Sequence, residues 1–240
     1  MFFDFQFMKK YIGSLLIFLL LLSSCATKNY RIQSITGSFV EIDSSFDKGT
    51  DPGIIALVDS YKDRLDKEMS VVIGYVPQTL TIDYPEMSLV HFTSSVMKLF
   101  GDMHVEGGVD FSLINIYAHR SALIQGPVTI GNMYEVYSYD SKLELLELKG
   151  NDLEKVFEQF VRSRRGGVSS NVEIVAEGSR LLSVTINGKL IDKERLYKII
   201  TIDYLAEGND SFSALKNASA NISFDITLRD LMIDYIKNNP

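Results

Sequence analysis

The run Phe111-Ser-Leu-Ile-Asn-Ile-Tyr117 constrains this chain more than any other stretch. It is short, mostly apolar and placed between polar loops, so it reads as a β-strand buried inside the fold. A buried strand needs packed layers around it. The apolar part, Phe111–Ile114, delivers Asn115 at its end, and strand ends followed by loops are where binding groups concentrate. Arg120 and Tyr139 follow within one loop-rich region, which makes Asp110–Ser141 a candidate ligand site.

Around this strand the apolar residues switch between two periods. Ile54, Leu57, Val58, Tyr61 and Leu65 recur at helical spacing and predict an amphipathic helix over Gly53–Glu68. Further helices are predicted over Leu89–Phe100, from Asn151 to about Ser163, and over Thr227–Lys237 with Leu228, Leu231, Met232 and Ile236 inward. Asn151 reads as the N-cap of its helix, with Glu154 at the capping-box position. Strand-type runs occupy Ser38–Ile42, Val71–Tyr75, Thr79–Ile82, Leu143–Lys149, Val172–Ala176, Leu181–Ile186, Lys189–Ile191 and Leu196–Thr201. Asn187-Gly188 is a two-residue hairpin signal. Arg164-Arg165-Gly166-Gly167 reads as a mobile loop, and Gly208–Leu215 as a turn entering a short helix. Helices and strands interleave without strict βαβ alternation, so the fold class is α+β with mixed sheets and helices packed outside them.

The N-terminus carries an address. Met8-Lys9-Lys10 opens a basic segment, Tyr11–Leu22 is apolar but shorter than a membrane span, and Leu22-Ser-Ser-Cys25 fits a bacterial lipobox. The expected organisation is a lipoprotein signal peptide at 1–24, a tether at 25–34 and one domain at 35–240. Cys25 would be the lipidated first residue of the mature chain, which is then held in the cell envelope through a membrane anchor. The other reading is an ordinary cleaved signal with a coincidental cysteine. Cys25 is the only cysteine, so no intramolecular disulfide is possible. Loss of residues 1–24, which hold Lys9, Lys10 and Asp4, moves the formal net charge from −7 to −8. Nucleic acid is not the partner that such a balance suggests.

Familiar catalytic signatures are absent. The three histidines, His91, His104 and His119, form no i,i+4 pair and no Asp-x-His unit, so each reads as structural or surface. There is no Gly-x-Ser-x-Gly elbow, P-loop or Gly-x-Gly-x-x-Gly. Arg120 offers a planar fork of donors and Asn115 both a donor and an acceptor. They fit either a ligand site or a salt bridge beside a strand end. Tyr139 could stack on a flat ligand or be an ordinary core or surface tyrosine. Phe212 follows a Gly/Asn/Asp/Ser turn that should expose it, which makes it a second candidate ring.

Taken in order, Asn115-Ile-Tyr-Ala-His-Arg120, Gly126-Pro-Val-Thr-Ile-Gly131, Tyr139-Asp-Ser141, Leu148-Lys-Gly-Asn-Asp-Leu153 and Asp203-Tyr-Leu-Ala-Glu-Gly-Asn-Asp-Ser-Phe212 resemble the C-terminal, substrate-binding domain of the 5′-nucleotidase family. The resemblance covers roughly Ile35–Lys237. It implies a layered alpha/beta/beta/alpha arrangement. It also implies that Asn115 and Arg120 contact a nucleotide or nucleoside, that Tyr139 and Phe212 sandwich its base, and that Ser141 lies nearby. Tyr117 and Ala118 stand where the family has two glycines, Asn209 and Ser211 where it has glycines again, and Pro85 where it has a substrate-contacting arginine. Ser95 ends a segment that has lost the family's Gly, Asn and Asp. An altered pocket follows. Family members hold their metals in an N-terminal metallophosphoesterase domain that this sequence does not contain. The resemblance therefore implies no cofactor in this chain, with divalent metals in a separately encoded metallophosphoesterase partner. The alternative is an envelope scaffold or interaction module with a degenerate nucleotide pocket.

Overall fold

The computed structural model describes residues 30–41, 43, 45, 49 and 51–239. The signal segment 1–24 and Cys25 lie outside the described residues. By its internal contacts the chain divides into residues 1–51 and a body, Pro52–Pro240. In the first unit, residues 30–41 form neither helix nor strand, and Phe39 and Val40 are exposed. The strand expected from Ser38 is thus not formed over residues 38–41, which have no neighbouring strand to complete a ladder.

In chain order the body contains α1 (Pro52–Met69), β1 (Val72–Val76), α2 (Ser88–His104), β2 (Phe111–Asn115), β3 (Gly126–Thr129), α3 (Ile130–Val136), β4 (Lys142–Lys149) and α4 (Gly150–Ser163). There follow β5 (Gly166–Val168), β6 (Val172–Glu177), β7 (Arg180–Ile186), β8 (Lys189–Leu190), β9 (Leu196–Ile202), α5 (Asp203–Ala206), β10 (Ala220–Thr227) and α6 (Leu228–Asn238). Short 3₁₀ turns occupy Ile116–Ala118 and Ser213–Asn217.

All of β2 is buried, as its apolar run requires. It lies inside a five-stranded sheet of order β10-β4-β9-β2-β5. Its pairing with β9 is parallel, while β2 with β5, β4 with β9 and β10 with β4 are antiparallel. Successive β2 side chains meet different layers. The Phe111 ring lies 5.5 Å from that of Phe157 on α4, whereas the Ser112 hydroxyl donates to the Ser94 carbonyl on α2. Burying Phe111, Leu113 and Ile114 contributes roughly 2 kcal/mol each. A two-stranded β1–β3 sheet and a three-stranded β6-β7-β8 sheet complete a mixed α+β fold. Asn187 and Gly188 take φ of 53° and 72°, the left-handed pair that a tight hairpin turn between β7 and β8 requires.

Several expectations are corrected. Gly166-Gly167 is not a mobile loop but part of β5, paired with Asn115 and Ile114. Bare backbone is needed there, because a Cβ on Gly167 would sit 2.3 Å from Val90 Cγ1. Asn151 is not an N-cap, since α4 begins one residue earlier and Lys149 caps it without a side-chain hydrogen bond. Instead the Gly150 and Asn151 amides donate to the carbonyls of Arg195 and Lys193. Thr79–Ile82 yields only a single bridge, Leu80 to Leu123. The sequence reading does not anticipate β3, α3 or β10, although Thr129 and Asn132 form a capping box at α3 and Ile222, Phe224 and Ile226 alternate along β10.

Helix α1 forms as predicted, yet none of its residues is buried. Ile54, Leu57, Val58, Tyr61 and Leu65 lie exposed on it. These residues share one helix face, which the other described residues leave exposed. No helix among the described residues is long and apolar enough to cross a membrane.

Replacing Gly167 by Ala should force the buried, β-branched Val90 or the β2–β5 pairing to shift. The expected cost is about 1–3 kcal/mol, read as a lower urea midpoint at unchanged slope. A midpoint equal to that of the unsubstituted protein would show that β5 is not held against α2 as described.

Candidate functional site: an aromatic cavity at one edge of the central sheet

The site follows from strand directions. Because β2 and β9 are parallel, with Phe111 opposite Ile199, the chain leaves both strands at the same edge. One exit leads into Asn115–Arg120 and the other into Asp203–Asp210. Strand β4 runs the other way, with Leu143 opposite Ile202, so Tyr139–Ser141 enters at that edge too.

Asn115, Arg120, Tyr139 and Ser141 line one cavity of about 370 Å³. Tyr117, Ala118, Ile202, Tyr204 and Asp210 complete its wall. Asn115 is buried, and its Nδ2 donates to Asp210 Oδ2 at 2.5 Å, while its Oδ1 has no hydrogen-bond partner. A buried amide oxygen left unpaired is costly unless something else donates to it. Asp210 and Ser211 take φ of 51° and 73°, a left-handed conformation that non-glycine residues adopt only when their surroundings impose it.

Tyr139 is 50% exposed and Tyr204 44% exposed. The Arg120 guanidinium lies 4.9 Å from the Tyr139 ring centroid and donates from Nη2 to the Tyr139 hydroxyl. Tyr204 stands at the start of α5, and its hydroxyl donates to Asp210 Oδ1 at 3.3 Å. The Asp210 charge beside it holds the Tyr204 phenol above its ordinary pKa. The Ser141 carbonyl accepts from the Leu228 amide at 2.8 Å, which fixes this entry to the first turn of α6.

Phe212 is not at the cavity. It is fully buried, 6.4 Å from the Phe160 ring of α4, and a Cβ on Gly166 would meet it at 3.1 Å. The polar turn before it suggested exposure, but the ring folds back under β5 and anchors that turn. The Phe212 amide donates to the Asn209 carbonyl, and Asn209 Nδ2 to the Tyr204 carbonyl, so the anchor carries Asp210 to Asn115. In that stretch the ring that lines the cavity belongs to Tyr204. Its signal in the sequence was its position, two residues beyond the end of a strand. Asp210 was embedded in the same polar turn.

Below the cavity lies a closed network. His119 is buried, with Nδ1 3.2 Å from the Ile116 carbonyl and Nε2 2.8 Å from Thr93 Oγ1, which is also 2.7 Å from the Tyr137 hydroxyl. Thr93 Oγ1 also lies 2.8 Å from the Leu89 carbonyl, so its one hydroxyl proton is shared among a crowded set of buried partners. Burial pushes His119 from 6.5 down to about 4, keeping the ring neutral, and raises the Tyr137 phenol. Among the described residues no group of three or more His, Cys, Asp or Glu side chains is placed to hold a metal ion.

A mixed-sheet α+β domain with a ligand-sized aromatic cavity at the strand ends is thus defined. The description "5'-nucleotidase, C-terminal domain" matches residues 72–217, and the chain belongs to that family. Protein UshA of Yersinia enterocolitica is 21% identical over 213 residues, covering 87% of this chain and 38% of UshA. Snake venom 5′-nucleotidase of Crotalus adamanteus is 28% identical over 130 residues, 47% of this chain and 22% of that protein. The crystal structure of a 5′-nucleotidase precursor from Thermus thermophilus shares the fold, with a TM-score of 0.65 at 21% identity over 77% of this chain and 40% of that one. The chain therefore spans well under half the length of the relatives it matches.

The His119 network makes stability pH-dependent with a definite sign. Above 6.5 the imidazole is neutral in both folded and unfolded states, and its burial contributes in full. As pH falls from 6.5 toward 4 only the unfolded state takes up the proton, so stability drops by roughly 3 kcal/mol in all and then levels. Urea unfolding across this range should show the loss, and His119→Gln should flatten it. Equal slopes in the two proteins would contradict a buried neutral His119.

Proposed function

We propose that this chain binds a nucleotide or nucleoside as the substrate-binding part of a 5′-nucleotidase, with the base held between Tyr139 and Tyr204. The observation that carries the reading is that three half-exposed tyrosines, Tyr117, Tyr139 and Tyr204, are brought by separate loops to one cavity that also holds the Asn115–Asp210 pair, with Tyr139 and Tyr204 the two proposed to stack. Stacking on aromatic faces is worth about 1–3 kcal/mol per base and tolerates any base. The Asp210 carboxylate accepts from ligand hydroxyls, and the unpartnered Asn115 Oδ1 accepts one donor more. Arg120, laid over Tyr139, places positive charge beside the stacked ring.

Hydrolysis of the phosphate ester, in this reading, is performed with a metallophosphoesterase partner encoded separately, which supplies the divalent metals. Binding energy accelerates such a step only where it is coupled to groups acting in the transition state. The apolar face of α1, directly before the segment that matches the family, supports contact with a further protein. The lipobox at Cys25 supports an anchored position in the cell envelope.

Titration of the purified chain with AMP, UMP and adenosine should show saturable binding. Tyr139→Ala and Tyr204→Ala should each weaken it by about 5–100-fold, and Phe212→Leu should change stability more than affinity. Absence of binding to all three ligands at millimolar concentration would overturn the reading.

A further inference from the structure

One cation at the same sheet edge has no role so far. β5 is antiparallel to β2, with Gly166 opposite Asn115, so Arg165 precedes β5 at the edge where the cavity opens. Its backbone is pinned. The Arg165 carbonyl accepts from the Ile116 amide at 2.8 Å, and Gly166 is locked into the sheet by the rings that crowd its α-carbon. The Arg165 side chain is exposed, and its guanidinium lies 5.7 Å from the centroid of Tyr117, whose ring lines the cavity. Its positive charge also acts on the Tyr204 phenol, weakly opposing the Asp210 charge.

Among the described residues Arg165 has no carboxylate partner. Arg180, Arg195 and Arg229 are all paired, with Glu177, Asp110 and Asp140. Arg120 is partly occupied by the Tyr139 hydroxyl. The carboxylate in the cavity wall, Asp210, is tied to the Asn115 floor and repels an anion from that end. A ligand whose flat part sits between Tyr139 and Tyr204 thus meets the Asp210 carboxylate, with Asp140, Asp203 and Glu207 lining the adjoining hollow, while the Arg165 guanidinium beyond Tyr117 is the nearby cation without a carboxylate partner among the described residues. A guanidinium fork matches phosphate oxygens in two parallel hydrogen bonds, and an aromatic ring beneath it holds the plane in place.

We propose that Arg165, supported on the Tyr117 ring, is a phosphate-recognising residue of this cavity, outside the residues that the family resemblance assigns to ligand contact. The inference rests on the stacking reading above. It gives Tyr117 a positive function: its ring supports the Arg165 guanidinium.

The test is calorimetric titration of the full chain with adenosine and with AMP at low and high salt. The unsubstituted protein should bind AMP about tenfold or more tighter than adenosine, an advantage that shrinks as salt rises. Arg165→Gln should bring AMP down to the adenosine level while adenosine affinity stays within about twofold, and Arg165→Lys should retain part of the difference. Tyr117→Leu should fall between, because it removes the support and keeps the charge. Equal affinities for the two ligands, or an AMP-to-adenosine ratio unchanged in Arg165→Gln, overturns the assignment and leaves the stacking reading intact. Failure of the unsubstituted protein to bind adenosine and AMP alike overturns both.

Discussion

The parallel pairing of β2 with β9, in a sheet otherwise antiparallel, is the constraint on which the rest depends. Two neighbouring strands that run the same way must release their chains at the same edge, and antiparallel β4 and β5 must begin there. Four segments remote in sequence are therefore brought together by topology alone: Asn115–Arg120, Tyr139–Ser141, Arg165 and Asp203–Asp210. Helices on both faces of β2 make this arrangement rigid. The interior strand has no solvent-facing side, so a register slip would turn Phe111 and Leu113 toward α2 and Ser112 toward α4.

On that frame the site divides into residues that touch the cavity and residues that hold them. Phe212 belongs to the second kind. Its buried ring secures the turn in which Asp210 and Ser211 take left-handed backbone, and that turn presents the carboxylate to both Asn115 and Tyr204. His119, Thr93 and Tyr137 do the same from below, tying the 3₁₀ turn after β2 to α2 and to the end of α3. A neutral imidazole in this position keeps charge out of the core beneath a cavity that already holds Asp210 and Arg120. The cavity wall itself carries Asp210 and Arg120, and Asp140, Asp203 and Glu207 line the hollow that adjoins it at Tyr139 and Tyr204.

Much of this was legible in the sequence, for local reasons. Periodicity identified α1, α2 and α6, and the apolar run identified β2. The Asn187-Gly188 hairpin follows from backbone preferences that act within a few residues. Asn115, Arg120, Tyr139 and Ser141 were readable because each stands near a strand end or loop. Legibility failed where long-range packing decides. The polarity of Gly208–Ser211 suggested an exposed Phe212, but Phe160 on α4 and bare Gly166 on β5 offer that ring a buried place. Gly166-Gly167 looked like a loop because nothing nearby announces Val90. Asn151 looked like a cap because the carbonyls of Lys193 and Arg195, which accept from the first amides of α4, are some forty residues away in sequence. The apolar face of α1 is the opposite case: its pattern promised burial, and the described residues leave it open.

The central claim is that a base lies between Tyr139 and Tyr204, and ring-current shifts test it directly. Proton NMR of adenosine titrated with the protein should show the base protons moving upfield on binding, as expected for nuclei above an aromatic face. The shift should be much reduced in Tyr139→Leu and in Tyr204→Leu, and kept in Phe212→Leu. Base protons that bind without moving upfield, or that move equally in all four proteins, would contradict the account.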